Sequence, residues 1–360
     1  MTGTAPKITA PTGTAPRGAA SSGNARYSHT NAAILAVSAV EGPIVVTSAE
    51  FDEQLGDTLN RLGLRPGLLQ GLAGIHERRW WPEDVSFAEA AAMAGAKALA
   101  ESGIDPSRMG LMINSSVCRA HLEPSGAVEV HHLLGLPTSC LNFDLANACL
   151  GFVNAMHFAA TMIDAGHIEY ALVVDAESAR YTQEATIRRL LRPTTTADDL
   201  FDEFATLTLG SGAAAMVLGP ADAHPGAHRL VGGVARSGTE HHDLCVGDLE
   251  LMRTDTKGLL DAGLNLAEET WLDAKEDHDW TQMDCYVLHQ VSSVHTSALC
   301  ARLGLDPDRV PLTFPMLGNI GPASVPLTLA HQSESLMPGD RVLCMGIGSG
   351  LNTAFSEILW

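Results

Sequence analysis

The sequence predicts an α/β fold with buried sheets. From about Asn31 onward, short apolar runs alternate with amphipathic stretches, and strands alternating with helices imply sheets covered by helices. Several runs carry almost no polar residue, as strands buried on both faces do. The second half of the chain also echoes the order and character of the first.

Taken in order, "AAILAVSAVE" reads as a strand and "SAEFDEQLGDTLNRLG" as a helix with a Ser start. "FAEAAAMAGAKALAESG" is an Ala-rich helix ending at Gly103. "MGLMINSSV" is a buried strand, and "AVEVHHLLG" a helix ending at Gly135. "CLNFDLANA" is a strand leading to Cys149. The stretch "LGFVNAMHFAATMIDAGH" is apolar on nearly every face, so this helix belongs inside the protein. "EYALVVDAES" and "AAAMVLGP" are further strands. Between them, residues 181–205 form a long charged insertion with its own helix, either a cover over a site or a surface excursion. Later, "MDCYVLHQVSS" matches "MGLMINSSV", and "SSVHTSALCARLG" matches the helix before Gly135. "GDRVLCMGIGSG" matches "EYALVVDAES", and "NTAFSEIL" follows it as another strand. This is a duplication in pattern: one half over 29–222 and a second over 223–360, after a Thr-, Ala- and Pro-rich tail over 1–28 that reads as disordered.

Composition excludes several classes. The formal net charge is -20 with no block of Lys and Arg, so a nucleic-acid partner is not expected. The seven cysteines are an odd number without a C-x-x-C pair, which argues against a disulfide framework or zinc ribbon and for a cytoplasmic setting. No apolar run approaches the length of a membrane span, so an integral membrane protein is not expected. The polar stretch "EHHD" at 240–243 lacks a second ligand set and reads as solvated surface; no metal is expected.

Three residues carry chemistry. Cys149 stands where an apolar helix begins, and a helix N-terminus lowers a thiol's pKa, so it is expected to be held as a thiolate nucleophile. A packed core cysteine is the alternative reading. His289 follows the strand "CYVL" at its C-terminal end, where α/β sheets bind ligands. Asn319, in "LGNIGPASVP", is either a turn asparagine or a polar group of the same site. The papain-type context of a catalytic cysteine is absent, and "GIGSG" lacks the third glycine of a dinucleotide loop.

"DLANACLGFVNAM", "VLHQVSSVHTSALCARLGLD" and "GNIGPASVPLTL" stand in the order and spacing of the ketosynthase III branch of the thiolase superfamily. "GIHERRWW", "GSGAAAMVL" and "GIGSGLN" resemble its other segments. The resemblance covers the chain from about residue 31 to the end. It implies a duplicated five-layer αβαβα fold, a homodimer, and a Cys-His-Asn site at the base of a pantetheine tunnel. It also implies an oxyanion hole from the backbone N–H groups of Cys149 and Gly350. "SVCRAHLEPSGA" places Glu123 where fatty-acid-initiating ketosynthases carry a phenylalanine, in a loop that in this family crosses the dimer interface. That glutamate resembles the OleA-type thiolases, which join two fatty acyl-CoA molecules head to head without decarboxylation, at the start of olefin and β-lactone pathways.

The glutamate has a chemical reason. A decarboxylating enzyme generates its carbanion by losing carbon dioxide, whereas a plain acyl thioester must lose a weakly acidic proton to a base. The family implies no cofactor: acyl-CoA is the substrate, and downstream pathway enzymes are possible partners. Its coenzyme-A-binding arginine is replaced by Leu72, so Arg78, Arg79 and Trp80 are the candidates for holding the substrate nucleotide. Two rivals stand beside this reading: a decarboxylating ketosynthase III, and a partner subunit of a heteromeric condensing enzyme.

Overall fold

The protein was analysed as a computed structural model, which describes residues 25–360. Ten strands form the main sheet: β1 (Ala25–Ser28), β2 (Ala32–Glu41), β3 (Met109–Asn114), β4 (Leu141–Asp144), β5 (Tyr170–Glu177), β6 (Gly212–Pro220), β7 (His228–Ser237), β8 (Cys285–Leu288), β9 (Arg341–Gly348) and β10 (Asn352–Leu359). Their order is β8-β9-β10-β7-β2-β6-β5-β3-β4, with β1 on β7. The two halves of the chain each supply one side of this order. They meet through two residue pairs, Ala33 with Arg229 and Ile34 with His228.

Six helices make the layers: α1 (Phe87–Ser102), α2 (Gly126–Leu133), α3 (Gly151–Asp164), α4 (Thr256–Ala274), α5 (Ser293–Leu303) and α6 (Ser324–Gln332). α1 begins with a reciprocal cap between Ser86 and Glu89 and ends at Gly103 in the left-handed conformation, as its sequence predicts. With α2 it covers one face of β3, β5 and β6. α4 and α5 cover β8, β9 and β10 from the other side. α3 and α6 lie between: Phe152, Met156 and Ile163 of α3 share one core with Ile113 and Val173 of the first half and Val287 and Val342 of the second. The result is the five-layer αβαβα arrangement. α3 is buried on most faces, as its uniformly apolar sequence requires.

Local expectations fail where distant contacts decide. The stretch 48–63 is two short helices, Ser48–Gln54 and Gly56–Leu62, rather than one. Residues 1–24 of the expected tail lie outside the described residues. Ala25–Ser28, expected within the tail, pairs antiparallel with β7. The ring of Tyr27 stacks on His157 of α3 at 4.1 Å. Beside it runs a buried polar chain: Asp164 to His29 at 2.9 Å, His29 to His157 at 3.0 Å, and His157 to Ser356 at 2.5 Å. Among the described residues, no helix is long and apolar enough to cross a membrane.

Burial, and then the neighbouring His29, press the His157 pKa down to about 3. Its folded value therefore lies below the unfolded value near 6.5. Above that pH both states are neutral; as pH falls below it, only the unfolded chain takes up the proton, and stability is lost. His157→Leu should cost about 1–3 kcal/mol at pH 7.5 by stranding its partners. In denaturant titrations this difference should shrink as pH drops from about 6.5 towards 3; a difference that stays constant contradicts the assignment.

Candidate active site

Cys149 stands on a tight turn ahead of α3. The N–H of Leu150 donates to the Asn147 carbonyl at 2.9 Å and that of Gly151 to the Ala148 carbonyl at 3.2 Å. Ala148, at φ 45°, is the one non-glycine residue with positive φ among the described residues. Such strain persists only where the surroundings over-determine it. They do so here by close approach: a Cβ on Gly151 would lie 2.7 Å from the Ser115 carbonyl oxygen, and one on Gly348 would lie 3.3 Å from the Cys149 nitrogen. The turn that follows β9 is thereby pressed onto the backbone of Cys149.

His289 continues the line of β8, its N–H donating to the Met345 carbonyl of β9 at 2.8 Å. The next residue, Gln290, is fully buried. Its side-chain carbonyl accepts from the N–H groups of Thr313 and Phe314, and its amide donates to the Pro311 carbonyl. These bonds hold the strand end to the loop that leads to Asn319. Asn319 is fixed through its backbone, donating to Thr208 and accepting from Gly210, each at 2.9 Å. Its side-chain oxygen accepts from the Gly321 N–H at 3.0 Å, which leaves the amide NH2 as the free donor. Cys149, His289 and Asn319 open onto one cavity of about 880 Å³, so residues 170 positions apart in sequence form one constellation.

The electrostatics correct one expectation. Cys149 is not held as a thiolate: its pKa is pushed up to about 12, first by burial, then by Glu177, with Cys245 and Asp175 adding to it. The polar backbone at the turn works the other way and loses. Asp175 and Glu177 lie two apart on β5 and so share one face; Glu177 lines the cavity, and Asp175 is fully buried. Both carboxyls are pushed up, mainly by burial. Asp175 accepts from Ser115 Oγ at 2.5 Å, and Glu177 accepts from the Val117 N–H at 2.6 Å. Burial and His295 bring His289 down to about 4 while the Gly321 backbone opposes them. The resting site is therefore a neutral thiol facing a neutral imidazole.

The other sequence-predicted residues divide. The side chains of Arg78, Arg79 and Trp80 do not reach the cavity wall. Arg78 is fully buried, donates to the Val46 and Leu207 carbonyls and to Ser48, and lies over the Phe51 ring. Arg79 pairs with Glu41 and Glu77, and the Trp80 indole donates to Gln183. All three side chains are thus engaged within the protein, away from the cavity wall. Gly350 is off the wall, while its neighbours Gly348 and Ser349 are on it. Glu123 is exposed and outside its own chain's cavity, although Val117–Leu122 of the same loop line it. Of the 181–205 insertion, only Thr182 and Ala205, at its two ends, wall the cavity, while Ile187, Leu190 and Leu200 pack with Phe51 and Leu59. Sequence reasoning missed Glu177 and Asp175. Their signal was two carboxylates spaced two apart in an otherwise apolar strand, where a charge has no water.

The family model described as 3-oxoacyl-[acyl-carrier-protein] synthase III matches residues 143–232, and its C-terminal counterpart matches residues 274–360. An acyl-CoA:acyl-CoA alkyltransferase of Xanthomonas campestris is 45% identical over 92% of this chain and 99% of its own. A protein of the same name from Shewanella oneidensis is 35% identical over 88% of this chain and 95% of its own. A β-ketoacyl-[acyl-carrier-protein] synthase III of Pectobacterium atrosepticum is 30% identical over 77% of this chain and 85% of its own. Among solved structures, a cysteine-to-serine variant of Xanthomonas campestris OleA with bound lauric acid and lauroyl-CoA aligns with a TM-score of 0.91 at 44% identity. That alignment covers 92% of this chain and all of the other.

A neutral thiol reacts slowly with alkylating agents. Iodoacetamide should modify Cys149 at pH 7.5 at least tenfold slower than a free thiol of pKa about 8.5, with the rate still climbing at pH 10. Glu177→Gln, which removes the second-largest cause of the shift, should raise the rate above about pH 7, where Glu177 carries its charge. Mass spectrometry of the Cys149 peptide reads both, and a plateau near pH 8 contradicts the neutral site.

Proposed function

The chain belongs to the ketosynthase III branch of the thiolase superfamily and is an acyltransferase-type condensing enzyme, and from that premise we propose that it joins two fatty acyl-CoA molecules without decarboxylation. The observation that carries the proposal is the convergence of Cys149, His289 and Asn319 on one cavity whose walls are mostly apolar. The Xanthomonas relative's name states the same class of reaction for that protein.

In the first step the Cys149 sulfur attacks the thioester carbonyl of one acyl-CoA. Because the thiol rests protonated, its proton must move during attack; neutral His289 accepts it and returns it to the departing CoA sulfur. The carbon–sulfur bond to CoA breaks as the Cys149 thioester forms. The oxyanion faces the Cys149 N–H and a second N–H from the glycine turn pressed against it, that of Gly350. In the second step another acyl-CoA enters and its thioester oxygen takes hydrogen bonds from His289 and the Asn319 NH2. The partner's Glu123 removes the α-proton. The enolate carbon bonds to the acyl carbon on Cys149, the carbon–sulfur bond there breaks, and the thiolate takes back a proton. Hydrolysis of the resulting β-keto thioester gives a 2-alkyl-3-keto acid and CoA, a precursor for long-chain olefins or β-lactones. The chemistry needs no cofactor.

Glu123 requires a second chain, and the surface around it supports a homodimer. Among the described residues, β4 ends the sheet with an unpaired edge. Leu141 on it is 53% exposed, and Leu122, next to Glu123, is 96% exposed. Phe158 is exposed and packs edge-on against Phe143 of the same strand at 5.6 Å. Open apolar strand edges are covered in stable proteins, and pairing β4 with its own copy is an isologous solution.

Glu123→Ala should still load an acyl group onto Cys149 and lose at least about 100-fold in condensation. Glu123→Ala and Cys149→Ser are each inactive, yet unfolding and refolding them together should restore activity, because a mixed dimer holds one complete site. Loading without restored activity rejects the crossing of Glu123. Carbon dioxide release from a malonyl donor, with no product from acyl-CoA alone, favours the decarboxylating alternative.

A further inference from the structure

α4 carries a glycine in its middle. Gly263 lies between Thr256 and Ala274 in a helix without a break, where glycine costs about 1 kcal/mol against alanine. Such a cost usually has a packing reason. Gly210 shows one: a Cβ there would meet the Leu317 carbonyl oxygen at 1.8 Å. Gly263 shows none of that kind. Outside its own helix backbone, the single heavy atom within 4 Å of an added Cβ is Cδ1 of Ile347, at 3.0 Å. The rest of that space is the cavity, whose wall includes Gly263.

The wall positions on α4 are Thr256, Leu259, Leu260, Gly263, Leu264 and Ala267, spaced as one helical face. Gly263 and Ala267 are its two small residues. The same wall includes Leu299 of α5 and, from the strands beneath, Leu288, Met345 and Phe355, which we take as the inner end of the cavity. Leu288, Met345 and Phe355 are almost fully buried. None of these side chains offers a hydrogen bond to a neutral amide beyond the weak sulfur of Met345. A pantetheine arm in this space would bury its amides unpaired, whereas an alkyl chain suits it.

We propose that Gly263 sets the length of acyl chain that this inner arm accepts. The inference rests on the reading of the cavity as a site for acyl groups. A side chain at 263 would project into the arm and drive Ile347, also on its wall, further in. The missing Cβ keeps open a slot between Leu260 and Leu264 through which the chain reaches the inner end.

The test compares octanoyl-CoA with tetradecanoyl-CoA in wild type, Gly263→Ala and Gly263→Leu. Both loading of Cys149 and condensation are measured as kcat/KM. Each methylene excluded from an apolar site costs about fourfold. Gly263→Leu should shorten the preferred chain by about four carbons and lower the long-to-short ratio on the order of 100-fold in one of the two steps. Gly263→Ala should shift the same ratio a few-fold in the same direction. It should also melt no lower than wild type, alanine being the better helix former, so it decides the matter if Gly263→Leu does not fold. Unchanged ratios in both steps overturn the proposal. So does an equal loss at both chain lengths, which would mean that the arm holds something other than alkyl chain. If wild type loads Cys149 but never condenses, the condensation reading fails while the loading ratio still judges Gly263.

Discussion

The site depends on one constraint: the chain must turn sharply at Ala148 and begin a helix inside the protein. α3 lies between the two halves, so the residue before it points into the interior rather than to solvent. The turn is held from both sides, by Ser115 at the end of β3 and by Gly348 at the end of β9. Those strands belong to different halves. Their meeting brings the sulfur of one half to the imidazole that ends β8 and to the amide after it. The duplication thus makes a place where two sets of strand ends converge on a single helix start.

A second consequence is electrical. A cavity lined by leucine, methionine and phenylalanine suits lipid chains but penalises every charge placed in it. Cys149 and His289 are both neutral at rest for this reason, and the buried carboxyls of β5 push the thiol further from ionisation. Thioester exchange tolerates this, since a proton passed between sulfur and imidazole leaves no net charge behind. Enolate formation is harder, because it needs a base, and the buried carboxylate on the wall is already engaged. Glu177 is tied to two backbone N–H groups. A base carried in on a loop from another molecule resolves that conflict, because it stays solvated until the interface closes.

The alternation of strands and helices was legible because each element carries its own period, and Cys149, His289 and Asn319 were legible because each stands at an element's end in a distinctive local context. What escaped was set by residues far away. Arg78 reads as surface charge, yet it is sealed beneath Phe51 and the Leu207 carbonyl. The strand at Ala25–Ser28 exists because β7, some two hundred residues later, accepts it. The thiol's ionisation was misjudged because the helix start is local and visible, whereas Glu177 and Asp175 arrive from another strand.

The account's central claim is that Cys149 carries an acyl group between two acyl-CoA molecules. The most direct measurement is incubation with tetradecanoyl-CoA alone, followed by mass spectrometry of the protein and of the small molecules. The account predicts a tetradecanoyl thioester on the Cys149 peptide, free CoA, and a 2-alkyl-3-keto acid built from two chains. A protein unmodified at Cys149, or an acyl group found only on another cysteine, would contradict it.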